Sequence, residues 1–430
     1  MAHLDTRAPR LAALQHRDFR LLWFGQLIST IGSYMQLIAV NWHVYELLKD
    51  DTYSLSLLGR DFALGAGALG LGTLGLVRIL PVILFALVGG MVADVRDRRQ
   101  VLIWTSVAAA LFAAILASLT LTGRISVGSI YLLTAAGAAA TAFVEPAQQA
   151  LIPNLVPRQH LTNAISLNYL LLQIARITGP ALAGVLVSLF SLGTVYTLDT
   201  LTFLVVIVAL LLMRYRKPTT GETSGLGWQA LLDGLKYTYR TKLIWSTMIL
   251  DFLATFFASA RTMLPIVASE VLGVGVAGYG LLATAQPVGA VLTGAVLALR
   301  RDIQRQGTVL LVSVAVYGLA TALFGISTSF ILSYLLFGLT GAGDTLSTVI
   351  RATLRQVLTP DQLRGRMTSV NMVFFMGGPQ LGELEAGLVA AAFGAPLGIF
   401  TGGIATVLLT GWVAWKYPAL RKYTNQPDGS

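Results

Sequence analysis

The sequence predicts an all-α membrane protein with twelve transmembrane helices in two pseudo-symmetric six-helix bundles. Three observations lead there. Hydrophobic residues fill 55% of the 430 positions and charged residues only 12%. That polar remainder is too small for a soluble chain with a single anchor. The apolar residues fall into runs near the ~20 residues that a bilayer crossing needs. A shift of 203 residues then lays one half of the chain on the other, superimposing Leu151 on Leu354, Leu155 on Leu358, Pro157 on Pro360 and Gln159 on Gln362. The register continues through Ser166 on Ser369, Asn168 on Asn371, Gly179 on Gly382, Gly184 on Gly387 and Phe190 on Phe393.

In chain order the spans fall near 19–45, 70–93, 100–122, 128–152, 164–190, 193–214, 244–268, 277–299, 307–326, 329–352, 368–391 and 395–416. The first follows a charged leader without a small-residue cleavage site and is too long for a signal-peptide core, so it reads as a retained helix. Residues 1–215 form the N-terminal bundle, 216–243 a Gly/Thr/Ser-rich cytoplasmic loop flanked by basic residues, and 244–430 the C-terminal bundle. With odd-numbered spans leaving the cytoplasm, only Lys49, Arg60 and Arg124 lie outside and Arg78, Arg176 and Arg261 lie in the bilayer. Every other Lys and Arg is cytoplasmic, which is the positive-inside bias and puts both termini on the cytoplasmic side of the cell's inner membrane. The net charge of +10 is therefore a topology signal and not a nucleic-acid footprint. The absence of cysteine excludes disulfides and thiolate metal sites.

The first span carries Gln26, Thr30, Ser33 and Tyr34 at helical spacing, a polar stripe suited to a wet cavity wall or to hydrogen bonding between helices. Trp42, Tyr45 and Tyr53 read as an aromatic belt. His43 reads as lone and near the surface, so no metal ligand is expected there. After the second span comes Gly90-Met91-Val92-Ala93-Asp94-Val95-Arg96-Asp97-Arg98-Arg99. Gly90 permits close helix approach. Asp94, one turn later, can face the positive end of a helix dipole.

This loop resembles the major facilitator superfamily signature, a glycine, an acid four residues on, then a basic cluster. The resemblance implies that Arg98 and Arg99 clasp an inner gate; ordinary positive-inside anchoring is the alternative. Asp97 stands where the family has a glycine. A degenerate copy after the eighth span, Gly294 to Gln304 with Arg300 and Arg301, has Ala298 in place of the acid. In the fifth span, Arg176-Ile177-Thr178-Gly179-Pro180-Ala181-Leu182-Ala183-Gly184 is similar to the Gly-Pro signature of exporters in this superfamily. Pro180 kinks the helix, as membrane helices tolerate when neighbours satisfy the freed carbonyl. With Glu145-Pro146-Ala147, Gly341-Ala342-Gly343-Asp344 and Gly382-Glu383-Leu384-Glu385-Ala386-Gly387, nearly the whole chain resembles the enterobactin-exporter and drug-efflux branch.

Ten charged residues fall in or near the apolar spans: Arg78, Glu145, Arg176, Asp199, Asp251, Arg261, Asp344, Arg351, Glu383 and Glu385. An ionised group there costs roughly 3 kcal/mol or more, so these side chains are expected to face helices, partner charges or water. Glu145 and Arg176 lie at similar depth on antiparallel neighbours and form a plausible ion pair. Arg78 can compete for Glu145, or the three can be a static lock. Asp344, Glu383 and Glu385 have no equally deep cation on their own helices, and burial with like charge disfavours ionisation, so they suit proton exchange. For coupling, Asp251, Glu145 and Asp344 rank first, because the resemblance puts spans 1, 4, 7 and 10 around the cavity. Asp199 reads as interfacial.

These readings predict a secondary transporter, a proton-coupled antiporter exporting small amphipathic molecules, drug or siderophore-like, by alternating access. A lipid or lysophospholipid flippase, or an importer, of the same fold is the alternative; a non-transporting scaffold is a third. No phosphate loop, metal-ligand spacing or activated nucleophile points to an enzyme or a cofactor. The expected partners are a small-molecule substrate, protons and the bilayer, with the chain working as a monomer.

Overall fold

Hydrocarbon offers backbone N–H and C=O groups no partners, so spanning segments close their hydrogen bonds within helices. The computed structural model describes residues 11–57, 60–215, 235–300, 303–360 and 363–424 and follows that rule. Its long helices in the N-terminal half are α1 (Arg17–Leu48), α2 (Ala66–Val95), α3 (Arg98–Leu121), α4 (Val127–Thr141), α5 (Val144–Leu151), α6 (Leu161–Leu189) and α7 (Leu192–Leu212). The C-terminal half adds α8 (Lys242–Phe257), α9 (Gly275–Leu299), α10 (Gln306–Ile326), α11 (Phe330–Leu358), α12 (Arg364–Phe393) and α13 (Ala395–Lys416). Among the described residues, ten stretches are apolar and long enough to cross a bilayer, with α4 and α5 sharing one. Helices α1 and α12, of 32 and 30 residues, are more polar but long enough, which fits the expected twelve spans.

Two expected helices are broken. The fourth span stops at Thr141 and restarts at Val144, so that Pro146 falls in the first turn of α5, where a missing N–H breaks no helical bond. The seventh leaves α8 at Phe257 and continues through a 3-10 turn, Arg261–Met263, and a π-turn, Val267–Val271. At the break, the Tyr317 hydroxyl donates to the Ala258 carbonyl at 3.2 Å. Between α1 and α2, a region expected to be loop holds an antiparallel hairpin, Thr52–Leu57 against Arg60–Gly65, with Tyr53 opposite Leu64.

Packing divides the chain into two units, residues 1–39 with 80–224 and residues 40–79 with 225–430. This differs from an undivided six-helix half ending at 215, because α1 and α2 are each shared between the units. In the first unit, Phe19, Leu22 and Trp23 of α1 pack with Leu102 of α3, Leu151 of α5, Leu171 of α6 and Leu210 of α7. Trp23 Nε1 donates to the Leu167 carbonyl at 2.9 Å, so the one polar atom of this aromatic is satisfied. In the second unit the core joins Leu250 of α8, Leu310 and Val314 of α10, Ile350 and Leu354 of α11 and Val413 of α13.

The repeat is visible as shared jobs. Gly179 of α6 lies so close to α1 that an added Cβ would stand 3.0 Å from the Ile31 carbonyl; Gly382 of α12, 203 positions on, would meet the Thr255 carbonyl of α8 at 2.7 Å. Asn168 and Asn371, paired by the same offset, each accept a side-chain hydrogen bond through Oδ1, from Gln148 and Arg355 respectively.

Candidate functional site

The second unit holds the main charge cluster. Asp251 sits nearly two turns from the end of α8 that precedes the break, and is 7% exposed. Arg351 of α11, only 3% exposed, forms an ion pair with Asp251 and donates to Thr348 Oγ1 at 2.9 Å. Asp344, two turns earlier on the same face of α11, lies 3.9 Å from the Arg351 guanidinium with 48% of its side chain exposed. One guanidinium therefore serves two carboxylates, one sealed and one accessible. Asp344 thus has a cation from its own helix, two turns along and not at equal depth.

Glu383 also has a cation, brought from another helix. Arg78 of α2 lies 4.0 Å from Glu383 of α12 and donates from Nη2 to Asn41 Oδ1 of α1 at 2.6 Å. Asn41 Nδ2 in turn donates to the Tyr279 hydroxyl of α9 at 3.4 Å. Trp42 stacks on Tyr279 with ring centroids 5.8 Å apart, and the Tyr45 hydroxyl donates to Glu270 Oε1 at 3.0 Å. Trp42, His43 and Tyr45 are buried, which corrects the aromatic-belt and near-surface readings, while Tyr53 is 54% exposed. Glu385 is half-buried one turn from the tight α12 contact. Arg261 is exposed at the 3-10 turn and is not buried as expected.

In the first unit the expected Glu145–Arg176 pair is not formed. Glu145 is exposed on α5 and accepts from Gln149 Nε2 at 3.2 Å. Arg176, exposed at the middle of α6, donates from Nε to the Tyr34 hydroxyl of α1 at 3.0 Å. Arg78, given to Asn41 and Glu383, does not compete for Glu145. The helix breaks at Ala142–Phe143, just before the turn that carries Glu145. Of the α1 stripe, Gln26 is buried, Thr30 and Tyr34 are half-buried, and Ser33 is exposed with its hydroxyl returned to the Ser29 carbonyl at 3.1 Å. Asp199 is fully buried in α7, not interfacial, and lies against Gly32 of α1 with Thr202 donating at 3.4 Å.

The basic loop after α2 is anchored within its own unit. Asp97 caps α3 by accepting from the Arg99 backbone N–H at 2.9 Å, the job an Asp performs at an N-cap and a glycine does not. Arg99 donates to the Leu210 and Leu211 carbonyls at 2.6 and 2.9 Å, and Arg98 to the Ala150 carbonyl at 2.9 Å. The orphan carbonyls of a helix end, negative in the dipole, are natural partners for guanidinium groups. Gly90 and Asp94 fall on α2, but their surroundings lie outside the described residues. Pro180 and Gly184 are buried in α6 with Gly179. Among the described residues no group of three or more His, Asp or Glu is placed to hold a metal.

The family model described as transmembrane secretion effector matches residues 8–427. The chain belongs to that family, within the major facilitator superfamily. The chain is 25% identical over 422 residues to the enterobactin exporter EntS of Salmonella typhi, covering 96% of each chain. It is 23% identical over 389 residues to the staphyloferrin A transporter of Staphylococcus aureus, covering 88% of this chain and 91% of that one. Its fold matches a bacterial homolog of the human lysosomal transporter Spinster, solved inward-facing and unoccupied, with TM-score 0.70, 14% identity and coverage of 94% and 97%. It also matches a mutant peptide transporter POT with TM-score 0.71, 13% identity and 94% of each chain covered. The chain is a multi-pass membrane transporter and not an enzyme.

Sequence reasoning singled out Arg351 without pairing it, and missed Tyr279. Arg351 was visible as a charge, and its seven-residue separation from Asp344 is the signal that places both on one helix face. Tyr279 had no such signal, because its link to Asn41 joins positions 238 apart.

Proposed function

We propose that this chain is a proton-coupled exporter of small amphipathic, siderophore-like molecules in the inner membrane, working by alternating access with both termini cytoplasmic. The observation that carries the reading is the Asp251–Arg351–Asp344 cluster. With both carboxylates ionised the cluster holds one excess negative charge; with Asp344 protonated it is neutral. Asp344 is the member that water reaches, so it is the one to exchange the proton, while the buried Asp251–Arg351 pair stays closed. A proton that enters or leaves there changes the charge on α11, the tenth span, and shifts the balance between two conformations. The kinship with siderophore transporters supports the cargo class, and the Gly-Pro segment of α6 supports export.

The experiment is efflux of enterobactin from loaded proteoliposomes under an imposed proton gradient. Collapsing the gradient with an ionophore should stop uphill movement, and Asp344→Asn should make transport indifferent to the gradient. Flux that ignores the gradient in the unmodified chain would remove proton coupling. Competition by lysophospholipid with no response to enterobactin would replace the cargo.

A further inference from the structure

Three membrane-spanning helices of the second unit, α9, α10 and α11, border an open groove of about 310 Å³. Its walls include Thr293 of α9, Thr308 and Val312 of α10, and Leu339, Ala342 and Leu346 of α11. Val312 is 55% and Leu339 44% exposed, and Val296, one turn on from Thr293, is exposed as well. Apolar side chains left open on spanning helices are a surface for hydrocarbon. At about 100° per residue, Leu339 and Leu346 stand roughly 140–160° around α11 from Asp344. The groove therefore lies on the other side of that helix from the Asp251–Arg351–Asp344 cluster.

At one end of the groove the chain passes from α9 to α10. Arg300 caps the end of α9 and Arg305 the start of α10. Arg305 comes three residues before Thr308 and Arg300 seven after Thr293, so each stands within about 10 Å of a groove wall, measured along its helix axis. Both arginines are exposed, and among the described residues neither meets a carboxylate or a hydrogen-bond acceptor. The basic pair of the first loop copy, Arg98 and Arg99, is bonded instead to main-chain carbonyls. An apolar slot with two such guanidinium groups at its mouth complements a molecule that has a hydrocarbon tail and an anionic head. Guanidinium groups suit phosphate by two-point bonding, and basic residues between membrane helices at the cytoplasmic face attract acidic lipid heads.

We propose that this groove binds one acyl chain of an anionic phospholipid whose phosphate is held by Arg300 and Arg305. The proposed topology enters only in assigning that lipid to the cytoplasmic leaflet. Binding is measured without flux or a proton gradient, so this inference and the transport reading fail separately.

The test is native mass spectrometry of the full-length chain, delipidated in detergent and supplied with equal amounts of dioleoyl phosphatidylglycerol and dioleoyl phosphatidylcholine. The unmodified chain should retain phosphatidylglycerol in preference. Arg300→Gln and Arg305→Gln should each lower that preference about fivefold, the scale of one basic side chain near an acidic lipid surface. Both side chains are exposed, so these variants report binding without disturbing the packing. Ala342→Phe, which puts a ring into the groove, should remove most of the retention of both lipids while the arginines remain. Glycerol phosphate, a head without a tail, should not displace phosphatidylglycerol. Equal retention of the two lipids by the unmodified chain overturns the proposal, as does a preference that survives loss of both arginines. Displacement by glycerol phosphate would make the loop a phosphate site in which the groove has no part, and unchanged retention in Ala342→Phe would put the lipid elsewhere; either result overturns it too.

Discussion

Arg351 is buried, and its charge is tolerable only because Asp251 meets it. Removing one partner of a sealed pair strands the other, at a cost of about 3–5 kcal/mol. Asp251→Asn should accordingly lower the thermal unfolding midpoint of the detergent-solubilised chain by many degrees, while Asp344→Asn, altering an accessible and looser contact, should leave it close to the original. The reverse order would mean that the two carboxylates have exchanged roles. Much of this cluster was legible, because the charges stood out against apolar surroundings and the spacing of Asp344 and Arg351 is a helix repeat. The partner of Glu383 was not. Arg78 comes from a helix 305 positions earlier, and no local pattern encodes a meeting between distant helices.

At the scale of elements, close approach decides. Gly179 and Gly382 leave no room for a side chain against α1 and α8, so Gly179→Val and Gly382→Val should each destabilise by roughly 1–3 kcal/mol through overpacking. Gly411, with open space around it, should accept alanine with little change. Thermal unfolding of the three variants checks the contrast. Losing the Asp97 cap in Asp97→Ala should cost about 1 kcal/mol and loosen the start of α3, readable as faster amide exchange at Arg99. Spans and glycine contacts could be read from sequence because apolar length and small residues are local signals. The breaks at Ala142–Phe143 and after Phe257 could not. Their only marks were Pro146 and Pro265, and a proline is equally compatible with a kinked but continuous helix.

For the whole molecule, the two-part architecture was legible from the repeat, but the membership of residues 40–79 was not. Asn41 and Arg78, at the two ends of that segment, join it to Tyr279 and Glu383 through side chains, and Gly72 between them lies against the backbone of Gly387. These contacts lie within the second unit, so alternating access by movement between units should leave them closed in both states. The chain has no native cysteine, so Asn41→Cys with Tyr279→Cys, bridged by a short bifunctional thiol reagent, gives a clean test. Bridging should leave flux at the level of either single variant with the reagent; halted flux would show that this region separates during transport.

Proton exchange at Asp344 carries the functional account, and it can be observed without transport. Purified chain in weakly buffered detergent is mixed with enterobactin while a pH indicator follows the solution. The account predicts proton release on binding by the unmodified chain and none by Asp344→Asn at equal occupancy. Equal release from both, or none from either, would contradict it.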